Sequence, residues 1–149
     1  MAKSDPRPLR VLLDVDVILD VFARREPFFG DSAALLAACE TGGCEGLVAA
    51  HIVTTLWYLL AKHQDAAYAR SRVSELLRIV HVAPVDAGVI QRALLEGFAD
   101  FEDALQMAAA ATAGCDYVAT RNLKDFSRGP VPAIAPAELV ALLDAPPGT

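Results

Sequence analysis

The sequence predicts an α/β domain in which a central parallel sheet is flanked by helices. Three observations lead there. Short apolar runs of strand length alternate along the chain with longer stretches of helical spacing. Capping and turn residues fall at the junctions between these runs rather than inside them. Apolar residues make up 54% of the 149 residues and charged ones 21%, enough to fill one core in a chain too short for two.

The elements follow in order. Arg10–Asp14 (RVLLD) is a short apolar run and reads as a buried strand. Residues 16–23 form a brief helix that breaks at Arg24–Pro27. Asp31 or Ser32 caps a helix to Thr41, where Gly42–Gly43 stop it. Gly46–Ala50 is a second strand. Residues 52–62 have helical length in spite of four β-branched residues at their start. Residues 65–79 place Ala67, Val73, Leu76, Leu77 and Val80 at helical spacing, and Val80–Val85 is a third strand. Asp86 caps a helix to Glu96, ended by Gly97. Asp100 opens another that runs to Ala113 and stops at Gly114. Asp116–Thr120 is a fourth strand. Val131–Ala135 is an edge strand, because Pro132 cannot donate to a ladder, and Pro136 suits the first position of a last helix. The expected layout is a loose N-terminus (1–8), one domain (9–143) and a loose C-terminus (144–149).

Thirteen Lys and Arg against nineteen Asp and Glu give a net charge of −6. This excludes a generally basic nucleic-acid-gripping surface and leaves open contact with a phosphodiester through metal ions. The three cysteines, Cys39, Cys44 and Cys115, form neither a disulfide framework nor a Cys-x-x-Cys zinc motif. No signal-peptide pattern and no apolar run of membrane-spanning length is present, so a cytoplasmic setting without membrane contact is expected.

In parallel sheets ligands collect beyond the carboxyl ends of the strands. Asp14 closes the first strand, with Asp16 two residues on, and Asn122 follows the fourth. Asp116 precedes its strand and belongs at the opposite edge. Asp100 and Asp103 share one helix face, with Glu102 pointing elsewhere. Carboxylates bordering apolar elements are costly to bury unless paired or bound to a cation, and a divalent ion relieves their repulsion. Such oxygen ligands suit Mg²⁺ or Mn²⁺, which activate water and neutralise a phosphoryl centre. The plainer readings are also open. Asp16 serves equally as a helix cap, and Asp100 with Asp103 as a capping pair. Asp14, at a strand end, has no helix dipole to gain from. Asn122 and Asp125 serve equally as loop residues bonding local backbone. Trp57, Tyr58, Leu59 and Leu60 read as core.

Three segments, VLLDVDVILDVF near the start, DFEDALQ in the second half and GCDYVATRNLKDF after it, resemble in order and spacing the PIN-domain family, as do RREPF (Arg24–Phe28) and AIAPAEL near the end. The resemblance spans residues 10–143. It implies a compact α/β fold and a Mg²⁺- or Mn²⁺-dependent ribonuclease, with RNA as substrate. It further implies a VapC-like toxin with a small antitoxin partner, and a homodimer. By resemblance Asp14 is the first metal ligand, Asp16 stands where an Asn is usual, and Asp103 is the acid of the later helix. Asn122 stands where many members have the last Asp, with Asp100 or Asp125 supplying the charge. Thr55 stands where many members have a Glu, so the metal site rests on fewer carboxylates. Arg24, Arg25, Arg121 and Lys124 are candidates for RNA contact. The VLLDVDVI segment also resembles the nucleophile motif of haloacid-dehalogenase-type phosphatases, with Asp14 as nucleophile, but the late acidic motif of those enzymes is missing. The neutral Thr55 and Asn122 support a third reading, a catalytically impaired PIN-like binding module.

Overall fold

A computed structural model describes residues 7–145. The first strand, β1 (Arg10–Leu13), passes directly into α1 (Val15–Phe22), and α2 (Phe29–Thr41) leads to β2 (Glu45–Ala49). Helices α3 (Ala50–His63) and α4 (Ala66–Leu76) precede β3 (His81–Ala83). Helices α5 (Ala87–Leu95) and α6 (Phe101–Thr112) precede β4 (Tyr117–Ala119), and β5 (Ala133–Ile134) with α7 (Pro136–Asp144) ends the described chain. The expectation of loose ends at 1–8 and 144–149 falls mostly outside the described residues. Asp144 is the last residue of α7.

The strands form one sheet in the order β3-β2-β1-β4-β5, and every pairing is parallel. From β1 the chain builds outward on one side through β2 and β3, and on the other through β4 and β5. The order therefore reverses between β1 and β4, where Leu13 pairs with Ala119 and the Asp14 N–H donates to the Ala119 carbonyl at 3.0 Å. Loops leaving two strands in opposite directions open a crevice at such a point. Asp116 lies at the other end of the sheet, as expected, accepting the Arg10 N–H at 2.8 Å.

The core has two parts, one on each face of the sheet. Leu35, Leu56, Leu60 and Leu76 pack with Val11, Leu13 and Val48 on one face. Met107, Ala108 and Phe126 pack with Leu12, Leu47 and Val118 on the other. Successive β1 residues thus serve opposite faces, as a strand buried on both sides requires. Leu35 is fully buried, and Leu35→Ala is expected to cost about 2–5 kcal/mol in urea unfolding.

The boundaries differ from expectation in instructive places. Helix α2 begins at Phe29, and neither Asp31 nor Ser32 caps it. Ser32 instead faces inward, and its Oγ donates to Asp20 at 3.2 Å. The second strand ends at Ala49, because Ala50 already has helical geometry. The edge strand shrinks to two residues, although Pro132 still contributes its carbonyl to the Val118 N–H at 2.9 Å. Tyr58, expected in the core, is 61% exposed.

Candidate metal centre

Asp14 is where β1 stops and α1 starts. It is the N-cap of α1, so the expectation that a strand-end Asp stands apart from a helix terminus is corrected. The turn from strand to helix is immediate, and it buries the side chain to 3% exposure between β1 and β4. Both carboxylate oxygens have partners. Gln106 Nε2 donates to one at 3.1 Å from α6, and Thr120 Oγ1 to the other at 2.9 Å from the end of β4. Burial pushes the Asp14 carboxyl above the ordinary carboxylate range, these two hydrogen bonds oppose the shift, and the charge of Asp16 adds to it. Sequence reasoning missed Gln106 and Thr120. A glutamine inside an otherwise apolar helix face (Ala104, Met107, Ala108) was the signal available.

Asp103 stands in the first turn of α6, which Asp100 caps by accepting the Asp103 N–H at 3.0 Å. Its carboxyl is pushed up to about 7, first by burial and then by the charges of Asp100, Asp14, Asp125 and Glu102. Asp103 feels both Asp14, far away in sequence, and Asp100, which shares its helix turn. Asp100, Asp103, Lys124, Asp125 and Arg128 line a hollow of about 320 Å³. Arg128 is turned onto the carbonyl of Gly97 at 2.7 Å. Among the described residues no salt bridge joins Asp14, Asp100, Glu102, Asp103 or Asp125 to a basic side chain.

Asp16 does not cap α1. It sits in the first turn, with Arg25 Nη1 and Asn122 Nδ2 each 3.4 Å from one of its oxygens. Asn122 is anchored through its backbone N–H, which donates to Thr120 Oγ1 at 2.9 Å. Thr120 therefore links Asn122 to Asp14, and Asn122 links on to Asp16. Glu102 does not point idly away. Its Oε2 accepts from Thr55 Oγ1 at 2.7 Å, and its carbonyl lies 3.1 Å from His51 Nε2. The neutral Thr55 thus holds a carboxylate delivered from α6. Of the cations considered for RNA contact, Arg121 is engaged internally. Its Nε and Nη2 grip the fully buried Asp20 at 2.9 and 3.1 Å, and its guanidinium stacks on Phe28, 3.9 Å from the ring centre.

Among the described residues, no three His, Cys, Asp or Glu side chains converge into a ready-made metal cage. The donor set nonetheless fits Mg²⁺ or Mn²⁺, which bind through one or two carboxylates and keep most of their water. Asp103, raised to about 7 by burial and then by surrounding negative charge, is in the state a bound dication relieves. A pH dependence follows. Both carboxyls hold their proton more tightly in the folded state, so their contribution to stability is full below the ordinary carboxylate range. It is lost as pH rises through Asp103's value of about 7. In a chelator, thermal unfolding is expected at higher temperature near pH 5 than near pH 8, with Mn²⁺ protecting most at the higher pH. A flat profile would contradict the assignment of Asp103.

A five-stranded parallel sheet whose order reverses between β1 and β4, with a buried Asp at that point and an acid-lined hollow at the start of α6, defines an α/β protein with a candidate site at the carboxyl ends of its strands. The chain belongs to the PIN domain family, whose model matches residues 10–124. This removes the phosphatase reading of Asp14. Ribonuclease VapC1 of Aquifex aeolicus (strain VF5) is 28% identical over 123 residues, covering 79% of this chain and 85% of that protein. Two solved structures share the fold. VapC20 of Mycobacterium tuberculosis, described as a sarcin–ricin-loop-cleaving toxin, has a TM-score of 0.60 at 18% identity, over 72% of this chain and 86% of that one. VapBC2 of Rickettsia felis, bound to a DNA fragment from its promoter, has a TM-score of 0.64 at 12% identity, over 85% of this chain and 98% of that one. Among the described residues no helix is long and apolar enough to cross a membrane.

Proposed function

We propose that this protein is a Mg²⁺- or Mn²⁺-dependent endoribonuclease and acts as the toxin of a type II toxin–antitoxin pair in the cytoplasm. The observation that carries the reading is a buried Asp14 at the strand-reversal point together with an Asp103 raised by burial and by the charges of Asp100 and Asp14. The ribonuclease and toxin names of the relatives agree with it.

In this reading Asp14 and Asp103 hold the divalent ion. When bound, the ion supplies water activation and neutralises charge on the phosphoryl oxygens. Gln106 and Thr120 fix the orientation of the Asp14 carboxylate from two separate elements, so it is preorganised before substrate arrives. Asp16 and Asn122, linked to Asp14 through Thr120, and Asp100, the cap of the turn that carries Asp103, either contribute further oxygen ligands or position the attacking water. Glu102, held by Thr55, restores negative charge on the side where the neutral threonine lacks it. That contact weighs against the impaired binding module. The antitoxin is a small protein whose tail occupies the acid-lined hollow, a basic side chain of it competing with the ion. The active unit is a homodimer.

Incubation of the purified protein with end-labelled oligoribonucleotides tests this. Internal cuts are expected in Mg²⁺ or Mn²⁺ and none in EDTA. No cleavage of a diverse RNA pool, together with no Mn²⁺ binding by calorimetry at millimolar metal, would favour the binding module instead.

A further inference from the structure

At the end of the sheet opposite the acids, the chain brings two thiols together that their spacing in sequence does not announce. Cys39 lies in the last turns of α2 and Cys44 just before β2. Gly42, at φ +88°, reverses the chain between them, a conformation that glycine adopts without penalty. The N–H groups of Gly43 and Cys44 both donate to the Ala38 carbonyl, at 2.8 and 3.3 Å, which fixes the turn. The two Sγ atoms are 3.5 Å apart. Gly46 makes room for them, since a Cβ there would come within 2.7 Å of Cys39 Sγ. Both cysteines are buried, and they line a hollow of about 320 Å³ together with Gly42, Ile79 and His81. A proton shared between the thiols raises Cys39 and lowers Cys44. Cys115 is different: it has no thiol partner, and burial pushes it up to about 11.

We propose that Cys39 and Cys44 form a peroxide-reactive dithiol, a covalent modification site separate from the acid-lined crevice. The Cys44 thiolate attacks one oxygen of hydrogen peroxide and the O–O bond breaks. The departing hydroxide takes up a proton as water, leaving a sulfenic acid on Cys44. Cys39 sulfur then attacks Cys44 Sγ. The S–S bond forms, the S–O bond breaks, and the hydroxyl leaves with the Cys39 proton as a second water. Two thiols lose two electrons in total, and one peroxide becomes two waters. A dithiol reductant reverses the product by thiol–disulfide exchange.

The experiment treats the full chain with hydrogen peroxide under native conditions, alkylates the remaining thiols, and measures intact mass and linked peptides. The expected product has lost two hydrogens, joins Cys39 to Cys44, leaves Cys115 alkylated, and returns to the starting mass in dithiothreitol. Formation in native buffer should be at least about tenfold faster than in urea, because the fold supplies the proximity. Cys115→Ser should leave the product unchanged. Cys39→Ser should abolish it and leave a Cys44 sulfenic acid that dimedone traps. Linkage through Cys115, equal rates in native buffer and urea, or full alkylation of both thiols after peroxide would each overturn the proposal. The wild-type mapping and the rate comparison decide it even if Cys39→Ser does not fold.

Discussion

Asp14→Asn is expected to lower metal-dependent RNA cleavage by three or more orders of magnitude, about 4 kcal/mol of transition-state stabilisation, while the protein folds as well as before. The two halves of this expectation have separate causes. Activity falls because the substitution removes one of the two carboxylates assigned to the ion. The fold survives because the site can accept an amide. Thr120 Oγ1 and Gln106 Nε2 now donate to the two oxygens of Asp14. The Asn nitrogen replaces one of them, and Gln106 has an Oε1 that is buried without a partner. A flip of the Gln106 amide offers that oxygen to the new N–H groups. Burial also holds the Asp14 carboxyl above its ordinary range, so its ionised form weakens the metal-free fold at neutral pH. The expected thermal midpoint of the variant in chelator is equal to or above that of the wild type. Asp103→Asn should behave likewise for cleavage and lose the part of the pH dependence of stability that falls near pH 7. Cleavage within tenfold of wild type in both variants would remove these residues from the metal site.

The contrast between Asp14 and Gln106 shows how far the sequence alone could reach. An acid at the end of an apolar strand is conspicuous, because nothing about a buried strand calls for charge. The alternation of strand and helix then places that acid at the carboxyl edge, and Asn122 after the fourth strand follows from the same logic, whereas Asp103 stands out as an acid opening an apolar helix. Partnership is harder to read. Gln106 and Thr120 act on Asp14 across 92 and 106 residues, and only the order β3-β2-β1-β4-β5 brings them together. The same holds for Glu102. Helical periodicity correctly separates it from the Asp100–Asp103 face, yet cannot say that α3 brings Thr55 to meet it. Ser32 was misread for a related reason. As a residue type it suits a cap, but a buried carboxylate on a neighbouring helix outcompetes that role. The two thiols of Cys39 and Cys44 are close because of a left-handed turn at Gly42, a detail of backbone geometry that cysteine counting does not contain.

Asp20 is the residue whose loss should cost the fold most among the polar positions. It is fully buried in α1, yet it is ionisable, and an apolar helix face has no use for it unless it is paired. Its pairing is dense. Arg121 contacts it through Nε and Nη2, Ser32 Oγ reaches it at 3.2 Å, and Arg25 Nη1 lies 3.9 Å away. These contacts tie α1 to α2 and to the loop after β4, the loop that carries Asn122. Asp20→Ala removes the acceptor and strands the guanidinium of Arg121, which is only 22% exposed. Breaking one side of a buried pair costs about 3–5 kcal/mol, and the partial exposure of Arg121 puts this case near 3. For a chain of this size that lowers the thermal midpoint by roughly 6–12 °C. Arg121→Met leaves the opposite orphan, a buried carboxylate, and should cost at least as much. The double variant Asp20→Leu with Arg121→Met should recover part of the loss, because it leaves neither charge unpaired. Cleavage should fall in all three variants even where they are fully folded, since Asn122 loses the loop anchor next to it while Asp14 and Asp103 remain. Mn²⁺ affinity measured by calorimetry should change much less than cleavage does. Single variants within about 0.5 kcal/mol of wild type in urea unfolding would show that the Asp20 pair does not hold this end of the sheet together.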